Sequence, residues 1–385
     1  KMSQTKVEAP FVENNAHFKN LIINGDFKNW QRATAATAFS SGNYTTADRW
    51  KNLISTDGVL KSERYSMSLS DQATTGQGYA YKVTVTTADT SIGAAQYALI
   101  HQPIEAQNLQ HLKYGTSSAE TLTLSFWAKA TTQESTPSDA KFSVTLNKPD
   151  STAYFLTKEY SFDAHDTWQK FEITFSPTEG STTLITNSAG AIANDTGVGL
   201  HLYFAFGNGS NFTGTANTWT ADSDYASTNQ HNLLANTSNN WFVTGVQLEV
   251  GDKATDFEHL PNDVQLQRCQ RYYYVHTSGA ESNTSHVGIF NAYSSSNLQT
   301  SIFHPVEMRA AASADFVQGT GFYNAYGNGG SDAFDGFDLG SEGNKNGSAI
   351  YTSSKNVSVT QASPYFVRIA GATGNTAKVA FSAEL

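Results

Sequence analysis

Trp241-Phe242-Val243-Thr244-Gly245-Val246-Gln247-Leu248-Glu249-Val250-Gly251 is the stretch on which the fold assignment turns. Apolar and polar side chains alternate along it with period 2, as a half-buried antiparallel strand requires. Phe242, Thr244, Val246, Leu248 and Val250 fall on one face, which is taken as the core face, and Trp241, Val243, Gln247 and Glu249 fall on the other. On that phase Phe242→Ala should cost more stability than Trp241→Ala. The same alternation recurs upstream in Tyr79–Val85, Leu122–Trp127, Phe142–Leu146, Trp168–Phe175 and Leu200–Phe206, with Gly, Asn, Asp, Ser and Pro between the runs. Many short strands separated by turn residues indicate an all-β protein, a jelly-roll β-sandwich.

Four zones follow from this pattern. Residues 1–20 are polar, contain Pro10 and read as an extended N-terminal arm whose apolar contacts would come from Val7, Pro10, Phe11 and Phe18. Residues 21–260 hold the alternating runs and form the jelly roll. Residues 261–271 are a short helical linker, with Asp263 as its N-cap. Residues 272–385 form a second, smaller β-sandwich with strands at Val287–Phe290, Ser301–Val306, Tyr365–Ile369 and Ala377–Phe381; the Gly/Asn/Asp-rich stretch Gly319–Ser348 reads as loop.

Two segments are more specific. Asn20-Leu21-Ile22-Ile23-Asn24-Gly25-Asp26-Phe27 leads into Trp30-Gln31-Arg32 and Tyr44-Thr45-Thr46-Ala47-Asp48-Arg49-Trp50, and Trp241–Gly251 leads into Ala254-Thr255-Asp256-Phe257-Glu258. Together they resemble the first and last strands of the carbohydrate-binding-module-like jelly rolls of bacteriophage tail-fibre and other virion proteins. Cys269-Gln270-Arg271-Tyr272-Tyr273 is similar to the junction after that domain. His304-Pro305-Val306-Glu307-Met308-Arg309-Ala310 and Val379–Leu385 resemble its C-terminal β domain. The resemblance implies a virion structural protein, in contact with other virion proteins, assembled as a homotrimer, and displaying a surface for host glycans. An architectural adaptor without a sugar site is the alternative, and a polysaccharide depolymerase the third. Physically, Gly25 permits a tight backbone, Ile22 and Phe27 point inward, and Trp30 and Trp50 supply core area.

Composition sets the limits. Of 385 residues only 15% are charged, 39% are hydrophobic and 12% aromatic, so the chain can build cores under a polar, weakly charged skin. A formal charge of −10 with no basic run argues against nucleic acid. No apolar stretch is long enough for membrane insertion, and KMSQTKVEAPF lacks the apolar core of a signal peptide. The lone Cys269 reads as a small buried group.

No nucleophile elbow, phosphate loop or zinc motif is present, the histidines, His101 and His111 among them, read as surface or turn residues, and catalytic residues are not assigned. Acid pairs such as Asp163 with Asp166, or Glu249 with Glu258, have nothing to single them out. Asp26, Asp48 and Glu249 lie in the motifs that carry the resemblance, which implies a structural calcium ion as one role for them; hydrogen bonds at turns and strand ends are the other. Trp219 and Tyr225 lie in the polar stretch Asn208–Asn240 and are candidate ligand contacts, by stacking on sugar faces. Packing down to anchor a long loop, or contact with a neighbouring subunit, is the competing reading for both.

Overall fold

The computed structural model describes residues 18–39, 42–282, 284–374 and 376–385, so Val7, Pro10 and Phe11 of the arm lie outside the described residues. In chain order the first domain runs β1 (Lys51–Ser55), β2 (Val59–Ser66), helix α1 (Leu69–Thr75), β3 (Tyr79–Thr87), β4 (Tyr97–Glu105), β5 (Leu122–Thr131), β6 (Phe142–Lys148), β7 (Tyr154–Tyr160), β8 (Gln169–Phe175), β9 (Val198–Asn208) and β10 (Asn240–Val250). These strands form two antiparallel sheets, in the orders β2-β3-β10-β5-β8 and β1-β4-β9-β6-β7, with Ala35–Ala36 on the outer edge of β2. The chain passes repeatedly between the sheets, apart from the hairpins β2-β3 and β6-β7, and Leu124, Phe126, Val144, Leu146, Leu202 and Phe204 interdigitate between the sheets. This is a β-sandwich.

The last strand, β10, does not keep one phase. Its register against β5 pairs Thr244 with Trp127 but Gln247 with Ser125, so one extra residue is inserted between. Gly245 sits there with φ +60, a left-handed conformation that an L side chain resists. A bulge of this kind exchanges the two faces of a strand. Before it, Trp241 and Val243 point into the core; after it, Val246 and Leu248 do. The single-phase reading of this strand is therefore half right. Phe242 lies on the outer face with Tyr65, Met67 and Trp168, and Trp241 is the core residue, donating from Nε1 to Tyr160 Oη at 3.0 Å and packed on Phe204 and Phe206.

Residues 20–27 close the sandwich against that bulge without forming a regular strand. Leu21 N–H donates to Leu248 O at 2.9 Å and Val246 N–H to Gly25 O at 2.9 Å. Asn20 accepts from Ile22 N and Leu248 N on Oδ1 and donates from Nδ2 to Val246 O at 3.1 Å. A Cβ on Gly25 would stand 2.1 Å from Val246 O, so only glycine allows the approach. Ile22 and Phe27 are buried, and Trp30 stacks on Tyr81 at 5.5 Å.

Helix α2 (Asn262–Gln270) follows; Pro261 stands at its N-cap and Asp263 falls in the first turn, not at the cap. The second domain runs β11 (Tyr273–Ser278), β12 (His286–Ser294), β13 (Asn297–Phe303), β14 (Tyr323–Gly327), β15 (Gly330–Phe334), β16 (Gly347–Tyr351), β17 (Pro364–Ile369) and β18 (Lys378–Ser382). A sheet in the order β15-β14-β17-β12-β13-β16, extended by Asp338–Leu339, packs on the pair β11-β18 extended by Ser313–Ala314. The hairpin β14-β15 lies inside the stretch expected to be loop: Tyr323, Ala325 and Phe334 are core residues there, while Asn328 (φ +49) and Gly329 (φ +77) supply the turn. Three spaced apolar residues among many small polar ones escape a pattern search, yet they suffice for two strands.

The domains are locked together by buried charge. Glu384, at the end of the second domain, lies between Arg32 Nη2 (3.1 Å) and Arg49 Nη1 of the first. The Arg32 and Arg49 guanidiniums lie 3.5 and 3.6 Å over the rings of Tyr273 and Tyr272. Arg271 reaches Glu105 at 2.7 and 3.0 Å, and Tyr272 Oη donates to the same carboxylate at 2.7 Å. Opening such an ionic junction would strand buried charges.

The exchanged faces of β10 have a direct test. Trp241→Ala should cost about 3–5 kcal/mol and lower the denaturation midpoint more than Phe242→Ala, measured by chemical denaturation of both variants. The reverse order would place the bulge elsewhere.

Candidate functional site

The outer face of the β1-β4-β9-β6-β7 sheet is the broad surface on which a sandwich could seat a ligand. One rung crosses it as Lys51, His101, Tyr203, Thr145 and Thr157. The chain itself covers much of this face. Residues 209–231 lie across it: Thr145 Oγ1 donates to Tyr225 O at 2.9 Å, Thr157 Oγ1 to Asp224 O at 3.1 Å, and Ser227 N to Ser143 Oγ at 3.0 Å. Phe155 and Thr220 exchange backbone hydrogen bonds of 2.9 and 3.0 Å.

That arrangement decides the roles of the two aromatic candidates. Trp219 is 2% exposed and donates from Nε1 to Ser176 O at 2.8 Å. It anchors the loop, which corrects its reading as an exposed sugar platform: an indole this buried has no free ring face. Tyr225 is half-buried in an aromatic cluster with Tyr97, Tyr203, Phe155 and Phe212, the last stacked on it at 5.4 Å. Its ring holds the segment down on the sheet, and Phe212 and the buried Trp219 are the aromatics that border the neighbouring hollow.

Where β9 ends and β4 begins, the covering segment leaves a polar groove. Two adjoining hollows of about 730 and 410 Å³ share Ser210 and Thr213. The larger is walled by half-exposed Phe212 and by Asp222 and Asp224; the smaller by Asn208, Gln230, Thr228 and Thr90. Asn208 is 7% exposed, and its Nδ2 has no partner within the described chain; nor has Gln230 Oε1. A donor and an acceptor thus stand buried beside open space, a costly state unless something else satisfies them. Burial and the neighbouring Asp222 push the Asp224 carboxyl above the usual range. Neither hollow is lined by Lys, Arg or His. Gly214 makes room for the carboxylate, since a Cβ there would lie 1.8 Å from Asp224 Oδ2.

Reading the sequence singled out this stretch but not these residues. Only the Gly207-Asn208-Gly209 triplet hinted at them: a Cβ on Gly209 would stand 2.0 Å from Gly93 O, a close backbone approach that fixes Asn208 at the groove.

The three acids linked to calcium are not brought together. Asp26 accepts from Gln265 Nε2 and pairs with Lys28 at 3.0 Å. Asp48 accepts from Gln31 N and Nε2 at 3.0 and 2.7 Å, and burial pushes its carboxyl up to about 6 despite the nearby Arg32. Glu249 accepts from Thr255 N and Oγ1 at 2.8 and 2.7 Å and from Gln247. No three of His, Cys, Asp and Glu converge among the described residues in a way that would hold a metal. A calcium site built from Asp26, Asp48 and Glu249 does not fit, because each carboxylate is already spent on separate hydrogen bonds.

His101 also departs from its reading as a surface residue. It is buried, its Nδ1 lies 3.1 Å from Nδ1 of His201, and its ring stacks on Tyr203. Burial holds both imidazoles well below the ordinary range, that of His201 at about 3, with His201, Lys51 and Arg49 adding to the effect on His101.

Two outcomes are expected. Trp219→Ala should lower the denaturation midpoint, at a cost of about 3–5 kcal/mol, as an anchor and not merely a ligand contact would. Histidines depressed in the folded state contribute stability above the unfolded pKa of about 6.5 that is lost as pH falls. Denaturation midpoints should therefore decline from about pH 6.5 toward 3, and His201→Gln should shallow that decline; the Asp48 carboxyl acts in the opposite sense between about 4 and 6.

No family model matches the chain, and no curated protein matches it. Among solved structures it is similar to a protein of Bacteroides thetaiotaomicron provisionally named sugar-binding (13% identity, TM-score 0.34, 60% of this chain and 100% of that one). It is similar also to a tandem pair of carbohydrate-binding modules from Paenibacillus barcinonensis Xyn10C (8%, TM-score 0.25, 91% and 99%). A third is the enzymatically active domain of a tailspike protein of bacteriophage CBA120 (9%, TM-score 0.28), of which the match covers only 22% against 60% of this chain. Likeness at this level assigns neither ligand nor assembly to the chain.

Proposed function

We infer that the chain is a non-enzymatic, glycan-binding β-sandwich protein of a bacteriophage particle, serving in attachment to the host surface. The observation that carries the glycan reading is the uncharged end of the groove, where Asn208 Nδ2 and Gln230 Oε1 stand buried without partners. A sugar hydroxyl both accepts and donates, so one ring edge can satisfy both atoms. Phe212 offers a half-exposed ring for a sugar face, and Asp222 and Asp224 accept further hydroxyls while repelling acidic sugars. The ligand class is therefore a neutral glycan.

Catalysis is unsupported at this site, because Asp222 and Asp224 stand on one short segment, whereas glycoside hydrolysis needs carboxyl groups flanking the scissile bond. The virion location is supported by the motifs at residues 20–50 and 241–258 and by the similarity of the Cys269–Tyr273 junction. One observation favours a purely architectural role: the segment 209–231 covers much of the sheet face that would otherwise be open.

Binding to an array of oligosaccharides tests the reading. Asp224→Asn and Asn208→Ala should each weaken binding of neutral glycans at least tenfold, the loss of about 1.5–3 kcal/mol expected for a hydrogen bond involving a charged group or for a stranded buried one. An array with no bound glycan would leave the architectural role. Absence of the chain from purified particles, by electron microscopy or mass spectrometry, would overturn the virion location.

A further inference from the structure

The outward face of the β15-β14-β17-β12-β13-β16 sheet divides into two unlike halves. In one, polar side chains satisfy each other: Arg368 Nη2 donates to Tyr326 Oη at 2.9 Å, Asn324 Nδ2 contacts the same hydroxyl at 3.3 Å, and the guanidinium lies over the Tyr326 ring. In the other, on β12, β13 and β16, Asn291, Gln299 and Tyr351 follow one another across the sheet in direct register. None of those three side chains makes a hydrogen bond to another described residue, whereas nearby surface amides elsewhere, such as Asn328 and Gln361, do. Asn297 Oδ1, at the start of β13, is shielded from solvent and also has no partner.

The aromatic residue beside them is placed deliberately by the backbone. The register of β12 on β13 pairs Ala292 with Leu298 and Ser294 with Asn297, so Tyr293 is the extra residue of a bulge. Bulges re-aim the side chain they carry. Tyr293 is 68% exposed, a large ring with most of its surface open. Tyr293 and Tyr351 border a hollow of about 680 Å³ that also takes in Asn291, Asn297, Gln299 and Glu342. That volume lies within the ordinary range for small-ligand sites.

We propose that this hollow is a second glycan-binding site, taking an uncharged oligosaccharide across Asn291, Gln299 and Asn297 with sugar faces against Tyr293 and Tyr351. Planar amides offer a donor pair and an acceptor to adjacent hydroxyls, and phenol rings combine an apolar face with a polar tip. One carboxylate, Glu342, and no cation line the hollow, which again disfavours acidic sugars. The proposal takes only its ligand class from the reading of the groove between Asn208 and Asp224. Because the buried junction ties the two domains together, the two sites would stand at a fixed spacing.

The test uses the full chain on an array of uncharged oligosaccharides of glucose, galactose, mannose and N-acetylglucosamine, with sedimentation and melting measured in parallel. Tyr293→Ala combined with Tyr351→Ala should weaken binding to at least one set of glycans tenfold or more and leave the sedimentation coefficient unchanged. Gln299→Ala, at an exposed position, should reproduce the loss without altering melting. Unchanged array binding in these variants would overturn the proposal, as would a wild-type chain that binds nothing on the array. A changed oligomeric state with unchanged glycan binding would overturn it too, marking the face as a contact between copies. If only the Asn208 and Asp224 variants are silent, the groove reading fails and this one stands.

Discussion

The bulge at Gly245 in the last strand of the first domain is the constraint on which the other parts depend. By inserting one residue it lets β10 supply Trp241 and Val243 to the core from one face, then Val246 and Leu248 from the other. It also turns the Val246 peptide toward residues 20–25, whose hydrogen bonds to it replace a regular strand pairing. Once that segment is seated, Asp26 meets Gln265 of α2, and Arg32, Asp48 and Arg49 are fixed where the second domain arrives. A local change of phase thus propagates, contact by contact, to the arrangement of both domains.

The fold class was legible because alternation at period 2 is a direct imprint of a half-buried sheet, and Leu200–Phe206 or Phe142–Leu146 show it without interruption. Phase was less legible. In Trp241–Val250 apolar residues occupy positions on both sides of the bulge, so counting by twos cannot show where the faces exchange; Gly245 was the only mark of it. The β14-β15 hairpin was hidden because its inward residues, Tyr323, Ala325 and Phe334, sit among glycine, asparagine and aspartate, which ordinarily signal turns. The ionic junction was invisible for another reason: Arg32 and Arg49 each lie more than 330 residues from Glu384 in sequence, and nothing local marks them as partners.

The candidate binding residues were harder still. Trp219 drew notice because it is large and aromatic, and the same size is why the fold uses it as an anchor. The buried groups left without partners beside the groove are smaller ones, on Asn208 and Gln230, whose availability depends on which of their neighbours have found partners elsewhere. That is a property of the assembled hydrogen-bond network and has no counterpart in residue type. The calcium reading of Asp26, Asp48 and Glu249 failed on the same point: the acids are where the motifs put them, but their oxygens are already committed.

The charge pattern of the groove has a kinetic side. Its lining carries two carboxylates and no cation, on a chain with a formal charge of −10. Toward an uncharged ligand such a surface would exert no steering, so encounters would proceed at about 10⁵–10⁶ M⁻¹s⁻¹ and change little with ionic strength. Under the glycan reading, selectivity and strength would then reside in how slowly the ligand leaves.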